Sequence, residues 1–206
     1  MSGQGSMPPG LNVSRETLDR LSSFAALLEK WNPRINLVSR NSLSDLWTRH
    51  IADSVQLFDC VAPEGHWVDL GSGGGFPGLI VAILAADAAP NLRVTMIESD
   101  QRKSAFLRAA ARETGATCTI IAERIEAVEP QQADILSARA LADLETLLGF
   151  ADRHLNRSGV ALFPKGVTWQ KELDSARQRW KFKAQPITSI TDPEAVILKV
   201  EGVSRD

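Results

Sequence analysis

The residues best suited to chemistry sit at one glycine-rich turn. Five of the eight residues from Gly71 to Gly78 are glycine, led by Val68-Asp69-Leu70 and followed by an apolar run. Without a Cβ the backbone can turn tightly and lie close against a ligand. The N–H groups that open the following helix have no partner inside it. Pro77 suits a first helical turn, where its missing N–H is not needed. Twenty residues past Gly78 stands Glu98, at the end of a β-branched run. A carboxylate there can accept hydrogen bonds from both hydroxyls of a ribose. The pair predicts a site for an adenosine-containing cofactor. A ligand-free turn would carry the ordering cost of five glycines without purpose.

Gly73, Gly75 and Gly78 also spell G-x-G-x-x-G, a weak dinucleotide signal, so an NAD(P)-dependent oxidoreductase is a competing reading. Three features favour S-adenosylmethionine instead. Asp69 stands ahead of the glycines in D-L-G-S-G-G-G, the form usual in methyltransferase loops, where its carboxylate could reach the amino acid end of the cofactor. A strand pair closes the chain. No second nucleotide-binding half follows.

The elements that must position these groups are legible from periodicity. Leu18, Leu21, Phe24, Ala25, Leu27, Leu28 and Trp31 recur at steps that mark an amphipathic helix, with Ser14 as its cap and Pro33 as its end. A second helix is expected from Ser42 or Ser44 through Cys60. Strands are then predicted at 66–70, 92–97, 117–122, 133–137, 159–164, 182–190 and 195–200. Helices are predicted at 79–86, 101–114, 141–155 and 168–179. The alternation predicts an α/β fold: a Rossmann-like, mostly parallel seven-stranded sheet, with helices on both faces and an N-terminal helical extension. The expected organisation is a disordered tail over 1–13, the helical extension over 14–64, packed on the core, and a methyltransferase domain over 65–206.

Composition is that of an ordinary globular chain, 44% hydrophobic and 23% charged. Cys60 and Cys118, like His50, His66 and His154, are scattered, so neither a disulfide framework nor a metal site is expected. Cys118 reads as a buried small hydrophobe. No apolar run reaches the ~20 residues needed to span a bilayer. A cytoplasmic monomer is the expectation. The net charge of −2 argues against general polyanion binding but leaves room for a local basic face. Such a face is offered by Arg153, Arg157, Lys165, Lys171, Arg177, Arg179, Lys181 and Lys183, against Glu172 and Asp174, with Trp169 and Trp180 interleaved.

Beyond the cofactor loop, the sequence resembles the bacterial small-subunit ribosomal RNA guanine-N7 methyltransferases, the glucose-inhibited division protein B family. The segments that carry the resemblance are Trp31-Asn32 with Asn36-Leu37, Arg49-His50-Ile51 with Asp53-Ser54, the glycine loop with Phe76-Pro77-Gly78, Arg124-Ile125-Glu126, Ser137 to Ala140, and Lys165-Gly166. They run in order over about two thirds of the chain. Ala138 departs from the pattern, at a place where a serine is expected beside Arg139. The resemblance implies S-adenosylmethionine as cofactor and 16S ribosomal RNA, free or in the small subunit, as partner. It implies cofactor contacts from Asp69, Gly71, Gly73, Phe76, Glu98, Ser99, Arg124, Ile125, Glu126 and Arg139, and substrate contacts from Arg49, His50, Arg139 and Lys165. No residue is singled out as a catalytic acid or base; Arg139 and Lys165 are expected to position. The same acidic and basic residues could serve structure, since Arg49 and Asp53 are spaced to pair on one helix face. Trp31 and Trp47 read as core. A methyltransferase acting on another substrate remains the nearer alternative.

Overall fold

The computed structural model describes residues 13–205; the tail expected over 1–13 lies, but for Val13, outside the described residues. Helix α1 spans Arg15–Ile35, with Ser14 capping it by accepting the Thr17 N–H at 3.0 Å. It runs two residues beyond Pro33 rather than ending there. Proline forfeits one ladder bond, and the stop is supplied instead by Asn36. Asn36 is left-handed, φ 51°, and returns its N–H to Asn32 O at 2.9 Å. Buried Asn32 accepts the Val38 N–H at 2.9 Å through its side chain. The Trp31-Asn32…Asn36-Leu37 motif is therefore a helix stop that fixes where the chain turns back.

The single helix expected up to Cys60 is three pieces: α2 (Arg40–Leu43), a π-helical turn (Leu46–Ile51) and α3 (Ala52–Asp59). Leu46 and Ile51 are both buried, at a spacing of five that an α-helix splays apart and a wider i→i+5 turn brings together. Next come β1 (His66–Leu70), α4 (Gly78–Ala88), β2 (Arg93–Ile97), α5 (Gln101–Thr114), β3 (Thr119–Ile121) and β4 (Ala133–Ala138). The chain closes with α6 (Leu144–His154), β5 (Leu155–Lys165), α7 (Trp169–Ala176), β6 (Trp180–Thr188) and β7 (Val196–Arg205).

The seven strands form one sheet in the order β3-β2-β1-β4-β5-β7-β6. All neighbours are parallel except the pairings of β7, which is antiparallel to both β5 and β6. This is the expected Rossmann-like α/β architecture, down to the terminal strand pair. The order reverses between β1 and β4, and such a reversal opens a crevice at the carboxyl ends of the strands. One core cluster joins α1, α3, α4 and α5 to a sheet face; the other lies under α6 and α7. Phe106 of α5 packs against Phe24 and Trp31 of α1, with centroids 6.2 and 5.7 Å apart. Trp31 and Trp47 thus belong to packing, as expected. Cys118 is only half-buried, which still pushes its thiol up to about 11.

Candidate active site

The glycine turn is held from below. Asp69, at the end of β1, is fully buried; one carboxylate oxygen accepts the Gly78 N–H at 3.0 Å, the other the Ser137 hydroxyl at 2.7 Å. Ser137 in turn accepts the indole N–H of Trp67 at 2.8 Å. Register places Asp69 beside Ser137 on β4, so the two strands that flank the crevice share this network. Burial pushes the Asp69 carboxyl up to about 6, against the hydrogen bonds that favour its anion. Asp69, expected at the amino acid end of the cofactor, is turned inward instead and braces the start of α4. Ser137 and Trp67 went unnoticed as partners, and a lone hydroxyl inside the apolar run of β4 was the only signal.

Close approach requires glycine at position 78 and leaves little room for a side chain at 74. A Cβ on Gly78 would fall 2.7 Å from both Asp69 Oδ2 and Met96 Cγ, and one on Gly74 would fall 3.1 Å from the Leu37 carbonyl. The segment after α1 therefore lies directly on the loop. Gly71, Gly73 and Gly75 have positive φ, the region that only glycine adopts freely.

Above the loop a cavity of about 450 Å³ opens, lined by Gly71, Gly73, Glu98, Ser99, Arg124, Ile125 and Glu126, with Ile97, Leu141 and Phe150 among its apolar walls. Seven of the ten expected cofactor residues are thereby brought together. Glu98 accepts the N–H of Gly73 and the N–H of Asp100, each at 2.8 Å, one on each oxygen. Each oxygen keeps a lone pair for a hydroxyl. A carboxylate with that remaining capacity, bare glycine backbone and apolar walls fit an adenosine whose sugar is held by Glu98.

The other three lie elsewhere. Asp69 is the brace. Phe76 is 7% exposed and packs edge-on against Phe24, with centroids 5.4 Å apart, so it sits behind the cavity. Arg139 lines a second cavity of about 320 Å³, with Arg49, Asp53 and Lys165. The two cavities share Ala140 and Ala142 as a wall.

Arg139 is held on several sides. Its guanidinium lies 5.6 Å from the centroid of the Phe76 ring and 3.7 Å from Asp53, and it also contacts Nδ1 of His50. His50 packs at a tilt against Phe76, centroids 5.0 Å apart, and lines neither cavity. Burial, with Arg139 and Arg49 adding to it, lowers His50 to about 4, so it is neutral at pH 7. The Lys165 ammonium donates to Glu172 at 2.8 Å and to the Ala142 carbonyl at 2.9 Å. Its charge is thus paired at the cavity wall.

The basic stretch does not form one bare face. Arg153 donates to the Val128 carbonyl at 2.9 Å, Arg179 lies 3.5 Å from Glu145, and Trp180 is buried under Arg205. Trp169 is half-buried, so neither indole is displayed for stacking. Among the described residues no group of three His, Cys, Asp or Glu is placed to hold a metal ion, and no helix is long and apolar enough to cross a membrane.

This sheet order and the cavity at its reversal define a Rossmann-like, S-adenosylmethionine-dependent methyltransferase. The chain matches the family described as rRNA small subunit methyltransferase G over residues 17–196, and it belongs to that family. It is 64% identical to the ribosomal RNA small subunit methyltransferase G of Ruegeria pomeroyi over 196 residues, covering 95% of this chain and 96% of the relative. It is 59% identical to the protein of the same name from Ruegeria sp. (strain TM1040), covering 98% of each. A TehB-like SAM-dependent methyltransferase from Corynebacterium glutamicum shares the fold with a TM-score of 0.58 at 16% identity, over 86% of this chain and 98% of that one. A mutant of MtNAS in complex with S-adenosylmethionine does so with a TM-score of 0.60 at 13% identity, over 91% of this chain and 77% of that one.

Proposed function

We propose that this protein transfers a methyl group from S-adenosylmethionine to N7 of a guanine in 16S ribosomal RNA. The observation that carries the reading is the pair of cavities on either side of Ala140 and Ala142: one suits a nucleoside cofactor, and the other is flanked by Arg49, Arg139 and Lys165. In this reading Glu98 holds the ribose, Ile125 and Glu126 lie by the adenine, and Gly71, Gly73, Ser99 and Arg124 complete the wall. Asp69 and Phe76 act through the loop they support.

Bound S-adenosylmethionine supplies a methyl group on a positively charged sulfur. N7 of guanine already carries a free lone pair, so no side chain has to remove a proton before transfer. The protein's task is to hold acceptor and methyl group in line and to keep water out. Arg139, fixed between Phe76, His50 and Asp53, lines the second cavity next to the shared wall, and in this reading it orients the acceptor nucleotide. Lys165 keeps its charge balanced by Glu172 until a phosphate or base edge competes for it. The enzyme acts as a monomer in the cytoplasm, where ribosomal RNA is found in bacteria.

The test is direct. The protein is incubated with methyl-labelled S-adenosylmethionine and small-subunit particles that lack the modification. The RNA is then digested and its nucleosides resolved. Label in N7-methylguanosine from 16S RNA is expected; label in a ribosomal protein, or in another nucleoside, overturns the reading.

A further inference from the structure

Leu141, Val167 and Ile190 are the exposed large hydrophobic residues among the described residues, and two of them adjoin residues that line the acceptor cavity. Val167 is 69% exposed and follows Gly166; Ile190 is 54% exposed and sits between Ser189 and Thr191. Gly166, Ser189 and Thr191 all line the cavity that holds Arg139 and Lys165. The two residues come from separate loops, one between β5 and α7, the other between β6 and β7, and each loop contributes to the wall of the one cavity. Single exposed hydrophobics are ordinary on a protein surface. Two of them on loops that wall one cavity, lined by Arg49, Arg139 and Lys165 as well as Asp53 and Asp192, are not scattered.

Both loops are fastened. The Ile190 N–H donates to Oε1 of buried Gln56 at 2.6 Å, and the Thr191 hydroxyl bonds Asp53, which pairs with Arg139. On the other side, Gly166 accepts the Trp169 N–H at 3.0 Å, next to Lys165 with its own two bonds. The loop that carries Ile190 is thus tied through Thr191 and Asp53 to Arg139.

We propose that Val167 and Ile190 form an apolar lip that packs against the nucleobases flanking the target guanine. The inference rests on the RNA reading above. The major groove of an A-form helix is deep and narrow, so N7 of a stacked, paired guanine is out of reach of a cavity of this kind. A guanine stacked in the RNA has to leave its stack to be methylated here, and its neighbours then lose a stacking partner. Apolar side chains at the cavity mouth replace that lost contact. The cationic groups behind them, Arg49, Arg139 and Lys165, suit the phosphates of the same strand.

The experiment compares wild-type protein with Val167→Ser, Ile190→Ser and the double variant, using unmethylated small-subunit particles and labelled S-adenosylmethionine. Both positions are exposed, so the fold does not depend on them. The lip predicts a drop in kcat/KM of about tenfold for the double variant, as expected when a few methyl groups lose apolar contact. S-adenosylhomocysteine affinity stays within twofold, and the conservative pair Val167→Ile with Ile190→Val retains wild-type rates. Unchanged kcat/KM in the double serine variant refutes the lip while leaving the RNA reading intact. A parallel loss of S-adenosylhomocysteine affinity also refutes it. Failure of the wild-type protein itself to label RNA overturns the RNA reading instead.

Discussion

Replacing Ser137 with alanine removes the hinge pin of the loop support. In the folded protein the Ser137 hydroxyl joins the Trp67 indole to the Asp69 carboxylate at 2.8 and 2.7 Å, and all three residues are inaccessible to water. The substitution leaves an indole N–H without an acceptor and a buried carboxylate with one bond fewer. An orphaned neutral donor costs about 1–3 kcal/mol, and a hydrogen bond to a charged group contributes about 1.5–3 kcal/mol, so the loss should total about 3–5 kcal/mol. The loss depends on pH. The folded carboxyl titrates at about 6, above its ordinary 3.8, so Asp69 opposes folding once pH rises through that value and does not below about 3.8. Without the serine the folded carboxyl rises further. The Ser137→Ala penalty is therefore larger at pH 8 than at pH 5. Urea unfolding at both pH values, followed by tryptophan fluorescence, measures it; a fall in midpoint of about 1 M or more is expected at pH 8. Adding Trp67→Phe to Ser137→Ala removes the orphaned donor, so the two changes should cost less together than the sum of the singles. A penalty under about 1 kcal/mol that is equal at the two pH values refutes the bracing role assigned to this network.

Glu98→Gln places an amide NH2 against a backbone N–H and removes the charge from any ribose contact; calorimetry should show S-adenosylhomocysteine affinity reduced about 100-fold, and a change under about threefold would exclude Glu98 from the cofactor. Arg139→Lys keeps the charge but loses the planar face that lies over Phe76, so methyl transfer to RNA should fall about tenfold or more while S-adenosylhomocysteine binding changes little; equal losses in both would place Arg139 on the cofactor alone. His50 has its folded value lowered to about 4, so it contributes stability that is complete above about 6.5 and lost as pH falls towards 4. His50→Asn should therefore flatten the acid limb of the stability curve without abolishing it, since burial lowers His66 and His154 as well; an unchanged limb contradicts a neutral, buried His50.

Much of this architecture could be read from local rules. Helix α5 begins and ends where the sequence predicts, stopped by Gly115 at φ 68°. Strand β1 is likewise as expected, because a wholly buried strand announces itself as an apolar run. The N-terminal helices were less legible. The break into α2, the π turn and α3 depends on keeping Leu46 and Ile51 against the same core, a tertiary demand that no local period reveals. Pro33 misleads for the opposite reason: a strong local signal is outweighed by the stop that Asn36, three residues further on, makes with Asn32. At the site, the residues that line the cofactor cavity follow from loop and strand-end position, which topology fixes. Asp69 and Phe76 carried the right association with the loop but the wrong side of it, because whether a side chain faces the crevice or the core depends on partners, Ser137 and Phe24, that lie 68 and 52 residues away.

In the proposed reading the cavity above Gly71 and Gly73, with Glu98 at its edge, receives S-adenosylmethionine. Titration of the folded wild-type protein with S-adenosylhomocysteine and, separately, with NADH, followed by calorimetry, tests it most directly. Saturable uptake of one S-adenosylhomocysteine per chain and none of NADH is predicted. Saturable NADH binding with no S-adenosylhomocysteine uptake would contradict it.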